Sequence, residues 1–138
     1  GIVGSLRSKA TASELVTFGN LKAATGSNVG GIVGSTSTTG TSVSNVISYL
    51  NVQGSDNLGG IVGSNENATI QSAFAMSNVV STSTSGTMEV GGLVGNMSSG
   101  SIFSSFAFNA VTDGPTADKT GKAFGVIGSS VNKTNIII

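Results

Sequence analysis

The string VGGIVGS at Val29–Ser35 returns as LGGIVGS at Leu58–Ser64 and as VGGLVGN at Val90–Asn96. GIVGS, the tail of the same string, stands at Gly1–Ser5, and a worn copy, AFGVIGS, at Ala123–Ser129. With Gly1, Gly31, Gly60, Gly92 and Gly125 taken as equivalent, subtraction gives intervals of 30, 29, 32 and 33 residues. No other feature constrains the fold as tightly, because a unit of this size cannot bury a core alone and must stack on its neighbours. In such a stack, insertions fall in loops while the rungs stay in register.

A second set of columns supports that register: ELVTFGNL at Glu14–Leu21, NVISYLNV at Asn45–Val52, AFAMSNV at Ala73–Val79 and SFAFNAV at Ser105–Val111. Val16, Ile47, Phe74 and Phe106 share one column, and Phe18, Tyr49, Met76 and Phe108 fall two residues later. Val43, Ile70 and Ile102 lie four residues upstream of the first column in three of the units. Period two argues for strands, with all three columns on one side of the sheet, facing a core. The abundance of Gly, Ser, Thr, Asn, Val and Ile suits strands and turns better than helix. Ser8–Val16 comes nearest to a helix and shows no sustained stripe.

The glycines occupy matched places: Gly31 and Gly34, Gly60 and Gly63, Gly92 and Gly95, Gly125 and Gly128. A phosphate-binding loop would use glycine before a helix. Here no helix follows, no GK[ST] occurs, and the nearest approach, Gly114 through Lys122, is wrongly spaced. The better reading is that a missing Cβ lets the chain bend sharply or approach a neighbouring sheet closely. Ile32, Ile61 and Leu93 sit between paired glycines and provide apolar filling. The expected core stack is therefore Ile32, Ile61 and Leu93 with Ile47, Phe74 and Phe106. Phe124 stands where the last copy should have its first glycine, which predicts a distorted or terminal coil.

The unit G-[IL]-V-G-[SN], a polar turn, [IV]-x-x-[SA]-F-A, N-x-V, then V-G-G resembles the GLUG motif, a repeat named for its Gly-Leu-x-Gly core. GLUG repeats recur in long bacterial and protist surface proteins, including adhesins and regions beside secreted immunoglobulin-cleaving metallopeptidases. The resemblance spans essentially all 138 residues. It implies a β-solenoid, a surface or extracellular location, and no catalytic residues of its own. The HExxH zinc site of those metallopeptidases is missing, since the chain has no histidine.

Hydrophobic residues make up 38 % of the chain but aromatics only 5 %, which suits narrow rungs filled by Val, Ile, Ala and Gly. Charged residues are 9 %, against roughly 25 % in ordinary soluble domains, so Ser, Thr and Asn must form the surface. Absence of cysteine excludes disulfides and thiolate metal sites. No apolar run approaches eighteen residues, so this segment does not insert into a membrane. Residues 1–22 carry net +2, residues 23–118 net −5 and residues 119–138 net +3, summing to zero. Two small basic ends, with the seven aromatics assigned mostly to core columns, speak against nucleic acid.

Candidate chemistry is sparse. Glu66 follows one glycine string and Glu89 stands just before the next, at different offsets, so stacking would not pair them as acid and base. Asp113 and Asp118 bracket DGPTAD and could hold Ca²⁺, though a solvated turn explains them better. Ser130-x-x-Lys133 has no partner motif. Asn67, Asn96 and Asn132 head glycosylation sequons, which arise readily by chance in so polar a chain.

These observations predict an all-β solenoid of the right-handed β-helix type, with about 30 residues per coil and four to five coils. Residues 1–138 form one array with units 1–30, 31–59, 60–91, 92–124 and a partial 125–138, reading as a piece of a longer chain. The expected function is non-enzymatic: a stalk or display scaffold in an extracellular or surface protein, without cofactor or metal. Its partners would be neighbouring repeats, copies of itself, or host and cell-surface glycans or proteins. Two alternatives stand beside it, a fibre subunit stacking end to end through strand pairing and a glycan-binding module. Ice binding ranks lower, because the Thr-rich stretches at Ser35–Ser42 and Ser81–Thr87 do not recur in each unit.

Overall fold

A computed structural model describes residues 1–25, 27–76, 78–84, 88–112, 122–124, 126–130 and 136–137. The first coil holds β1 (Val3–Leu6), β2 (Thr11–Lys22) and β3 (Ser27–Gly30). The second holds β4 (Val33–Thr36), β5 (Ser42–Gly54) and β6 (Asp56–Gly59), and the third β7 (Val62–Asn65), β8 (Thr69–Ala75), β9 (Val79–Ser81) and β10 (Glu89–Gly91). Next come β11 (Val94–Met97), β12 (Ser101–Phe103), β13 (Phe106–Ala107), β14 (Val111–Thr112) and β15 (Lys122–Phe124), then β16 (Ile127–Ser130) and β17 (Ile136–Ile137). There is no helix among the described residues, and Ser8–Val16 leads into β2. The chain is an all-β solenoid of about 31 residues per turn, and about three turns are described nearly throughout.

Three parallel sheets run along the stack. The glycine strings build the first, in the order β1-β4-β7-β11-β16. Its register joins Val3 to Val33, Val33 to Val62, Val62 to Val94 and Val94 to Ile127. Those steps are 30, 29, 32 and 33 residues, the same as the spacings of the repeated string. The V-G stretches before each string form a second sheet, β15-β10-β6-β3. It keeps register through the substituted glycine, with Phe124 opposite Gly91. β2, β5, β8, β9, β12, β13, β14 and β17 make the third sheet, where Val16 pairs with Ile47, Ile47 with Phe74 and Phe74 with Phe106. Unequal unit lengths are absorbed at corners: Ser37–Thr41 in the second coil is matched by only Glu66–Ala68 in the third.

The core differs from the expected one in a single, systematic way. Ile32, Ile61 and Leu93 are fully buried, as are Val43, Ile70 and Ile102. Ile47 and Phe74, however, are only half-buried, and Phe106 is 45 % exposed. The whole column lies outside, and so does the next one. Facing inward are Val46, Ser48, Ala73 and Ala75, all fully buried. The phase changes at Glu14, Asn45, Ser72 and Ser104, one residue per coil, with φ of 56°, 53°, 51° and 46°. A left-handed residue interrupts the alternation of a strand, so the inward Val43 and the inward Val46 are three positions apart instead of an even number. The interior there is narrow enough for Ala, Ser and Thr, and the bulky rings go to the outer face.

Close approach, not positive φ, explains the motif glycines. Gly63 sits so near the second sheet that a Cβ would lie 2.5 Å from the Val29 nitrogen and 2.6 Å from the Gly34 oxygen. Gly95 repeats this one coil on, 2.5 Å from the Leu58 nitrogen and 2.7 Å from the Gly63 oxygen. None of the motif glycines described has positive φ. Several buried polar side chains find partners in the coil above or below. Asn65 accepts from Thr36 Oγ1 at 2.5 Å and from the Ala68 amide at 3.0 Å. Its Nδ2 donates to the carbonyls of Ala68 at 3.1 Å and Ser99 at 3.2 Å. Thr17 Oγ1 likewise donates to Ser48 Oγ at 3.0 Å.

Candidate functional site

The two displaced columns make an apolar ribbon on the outside of the third sheet. Val16, Ile47, Phe74 and Phe106 form one ridge, and Phe18, Tyr49, Met76 and Phe108 the other. Phe18 is 72 % exposed and Phe108 76 %, with Val16, Tyr49 and Phe106 also exposed. Five of the seven aromatic side chains in the sequence lie here, which corrects their expected placement in the core. Phe18 and Tyr49 stack with centroids 5.1 Å apart and planes 5° from parallel. Parallel rings that close cannot lie side by side in one plane, so each covers a face of the other. Phe74 and Phe106 are 4.8 Å apart at a tilt of 47°. Phe108 follows Met76 in its column and has no stacked aromatic partner among the described residues.

Beside the ribbon runs a row of exposed amides, Asn20, Asn51 and Asn78. Asn51 Nδ2 donates to Asn20 Oδ1 at 2.9 Å. The Asn78 backbone amide donates to Asn51 Oδ1 at 3.1 Å, and that of Ala110 to Asn78 Oδ1 at 3.2 Å. Because a backbone N–H can only donate, the Oδ1 ends of Asn51 and Asn78 are fixed toward the ladder. The Nδ2 groups of Asn20 and Asn78 have no partner among the described residues and remain as free donors. Two shallow hollows follow the row. One is lined by Asn20, Asn51 and Asn78 with Leu21, Val52 and Val80, and the other by Met76, Asn78, Ala107, Phe108, Asn109 and Ala110. Asn78 belongs to both, so amide row and ribbon form one continuous surface. In the second hollow Asn109 Nδ2 donates to the Gly92 carbonyl at 3.0 Å, while its buried Oδ1 has no partner among the described residues.

No family model, curated protein or solved structure matches the chain.

The other candidates from the sequence are scattered. Asn67 is exposed in the turn before β8, whereas Asn96 is half-buried in β11 and donates its amide to the Glu89 carboxylate. Glu89 and Asp56 meet only through the Glu89 backbone amide, which donates to Asp56 Oδ1 at 3.0 Å. Among the described residues, no three His, Cys, Asp or Glu lie together as a metal site, and no helix is long and apolar enough to cross a membrane. Asn132, Lys133, Asp113, Asp118 and Gly125 lie outside the described residues, and Gly128 is within β16. Sequence reasoning found the ribbon's residues but put them on the wrong side. It missed the amide row as a surface, although Asn20, Asn51 and Asn78 share one column, in which the fourth unit has Ala110.

Proposed function

We propose that the chain is a non-enzymatic structural and adhesive segment of a surface or extracellular protein, a display scaffold whose contact face is the aromatic ribbon. The supporting observation is the exposure of Phe18, Tyr49, Phe106 and Phe108 in register on a backbone fixed by parallel ladders. A contiguous apolar strip rimmed by polar side chains on a fixed backbone is a surface suited to contact. Beads coated with the chain should adhere to bacterial or epithelial cells, and beads carrying Phe18→Ser with Phe108→Ser should not. Equal retention of both bead types would overturn the reading.

Self-stacking is the second reading. Each coil joins the next by in-register parallel pairing in all three sheets, and the same pairing would join copies end to end. Light scattering and electron microscopy test it, with fibres expected and a monodisperse monomer at high salt and concentration as the contrary result.

A further inference from the structure

We infer that the surface shared by Phe108, Asn78, Asn51 and Asn20 is a binding site for a neutral oligosaccharide. The inference rests on the adhesive reading and names its ligand class.

Size argues first against a protein partner. Two columns over four rungs spaced ~4.8 Å apart give a footprint on the order of 200 Å². A standard protein interface takes ~800 Å² from each partner. A second copy laid on this face would be held far too weakly by such a patch, whereas a few sugar rings would cover it.

Charge comes next. Neither ribbon column nor the amide row contains Lys, Arg, Asp or Glu, and Lys22 is the one charged side chain lining the first hollow. One lysine at the rim is too little to select a phosphate backbone or an acidic chain, so the ligand is uncharged.

The hydrogen-bonding groups then separate a sugar from a peptide. Each amide oxygen of the ladder spends one lone pair, so the groups left over are mainly donors: both Nδ2 hydrogens of Asn20 and of Asn78 and the second Nδ2 hydrogen of Asn51. A peptide backbone needs acceptors as well as donors, because its own N–H groups must be paired. A sugar hydroxyl accepts from an amide and turns its own proton to water. Phe108, 76 % exposed and unstacked by another ring among the described residues, offers an open apolar face beside Asn78 for the C–H face of a sugar ring. Phe18 and Tyr49 each cover one face of the other, which leaves the second face of Phe18, 72 % exposed, open as well.

The test is calorimetric titration of the whole chain with soluble hexasaccharides of β-1,4-linked glucose, xylose and N-acetylglucosamine and of α-linked mannose, with a heparin hexasaccharide as charged control. Saturable binding is expected for at least one neutral probe, weakened at least about tenfold in both Phe108→Ala and Asn78→Ala. Both sites are exposed, so circular dichroism should show these variants folded. The inference is overturned by no saturable neutral ligand up to about 10 mM. It is equally overturned by binding that both variants leave intact, or by preference for the heparin probe. Ribbon-dependent bead adhesion without any oligosaccharide binding would reject the ligand class and leave the adhesive reading standing. Oligosaccharide binding without bead adhesion would reject the adhesive reading instead.

Discussion

Val43 and Val46 are both fully buried, although they stand an odd three positions apart on one strand. Asn45 between them is left-handed, and past it every side chain changes sides. The aromatic ribbon is a direct result. Inside and outside can therefore be told apart by stability. Ile61→Ala, at a fully buried site, should cost about 2–5 kcal/mol. Phe18→Ser should cost about 1 kcal/mol or less, mostly the lost stacking on Tyr49. Urea unfolding followed by circular dichroism would measure both, and equal losses would place the ring in the core.

The phase change itself is testable. Asn tolerates left-handed φ better than other residues with a Cβ, so Glu14 carries strain that Asn45 largely avoids. Glu14→Asn should raise stability by about 0.5–1 kcal/mol, and Asn45→Val should lower it by about 1–2 kcal/mol or more. Thermal melts of the two variants should move in opposite directions.

Gly63 and Gly4 occupy matching places in their strings but different surroundings. A Cβ on Gly63 would meet backbone at 2.4–2.6 Å, while one on Gly4 would meet nothing within 4 Å. Gly63→Ala should therefore cost about 3 kcal/mol or more, since sheet backbone cannot step aside. Gly4→Ala should leave the unfolding midpoint nearly unchanged. Equal effects would show that the glycines act through chain flexibility instead of space.

Asn65→Leu tests the buried polar stitch. It leaves the Thr36 hydroxyl and the Ala68 amide without their acceptor, while the Ala68 carbonyl keeps the Ser101 amide, and should cost about 2–4 kcal/mol. Asn65→Asp should be worst at neutral pH, because burial raises a carboxyl pKa and disfavours the anion. Its stability should recover as pH falls and the carboxyl protonates, a slope opposite to ordinary acid destabilisation. A flat difference between Asp and Asn variants across pH would contradict the burial of this site.

The sequence by itself determined the stacking. Its repeated glycine string gave the partner of each rung residue by subtraction, since insertions are absorbed at corners and cannot shift a ladder held on both sides. It also determined the columns: Val16, Ile47, Phe74 and Phe106 are paired as the alignment requires. Which side those columns face was decided only by the tertiary structure. Glu14, Asn45, Ser72 and Ser104 share no residue type that announces a left-handed turn, so period two read straight through them places Val43 and Ile47 together. The stacked coils resolve it. Between closely approaching sheets there is room for Ala73, Ala75 and Ser48 but not for rings, and the chain takes the strained backbone that turns the rings outward.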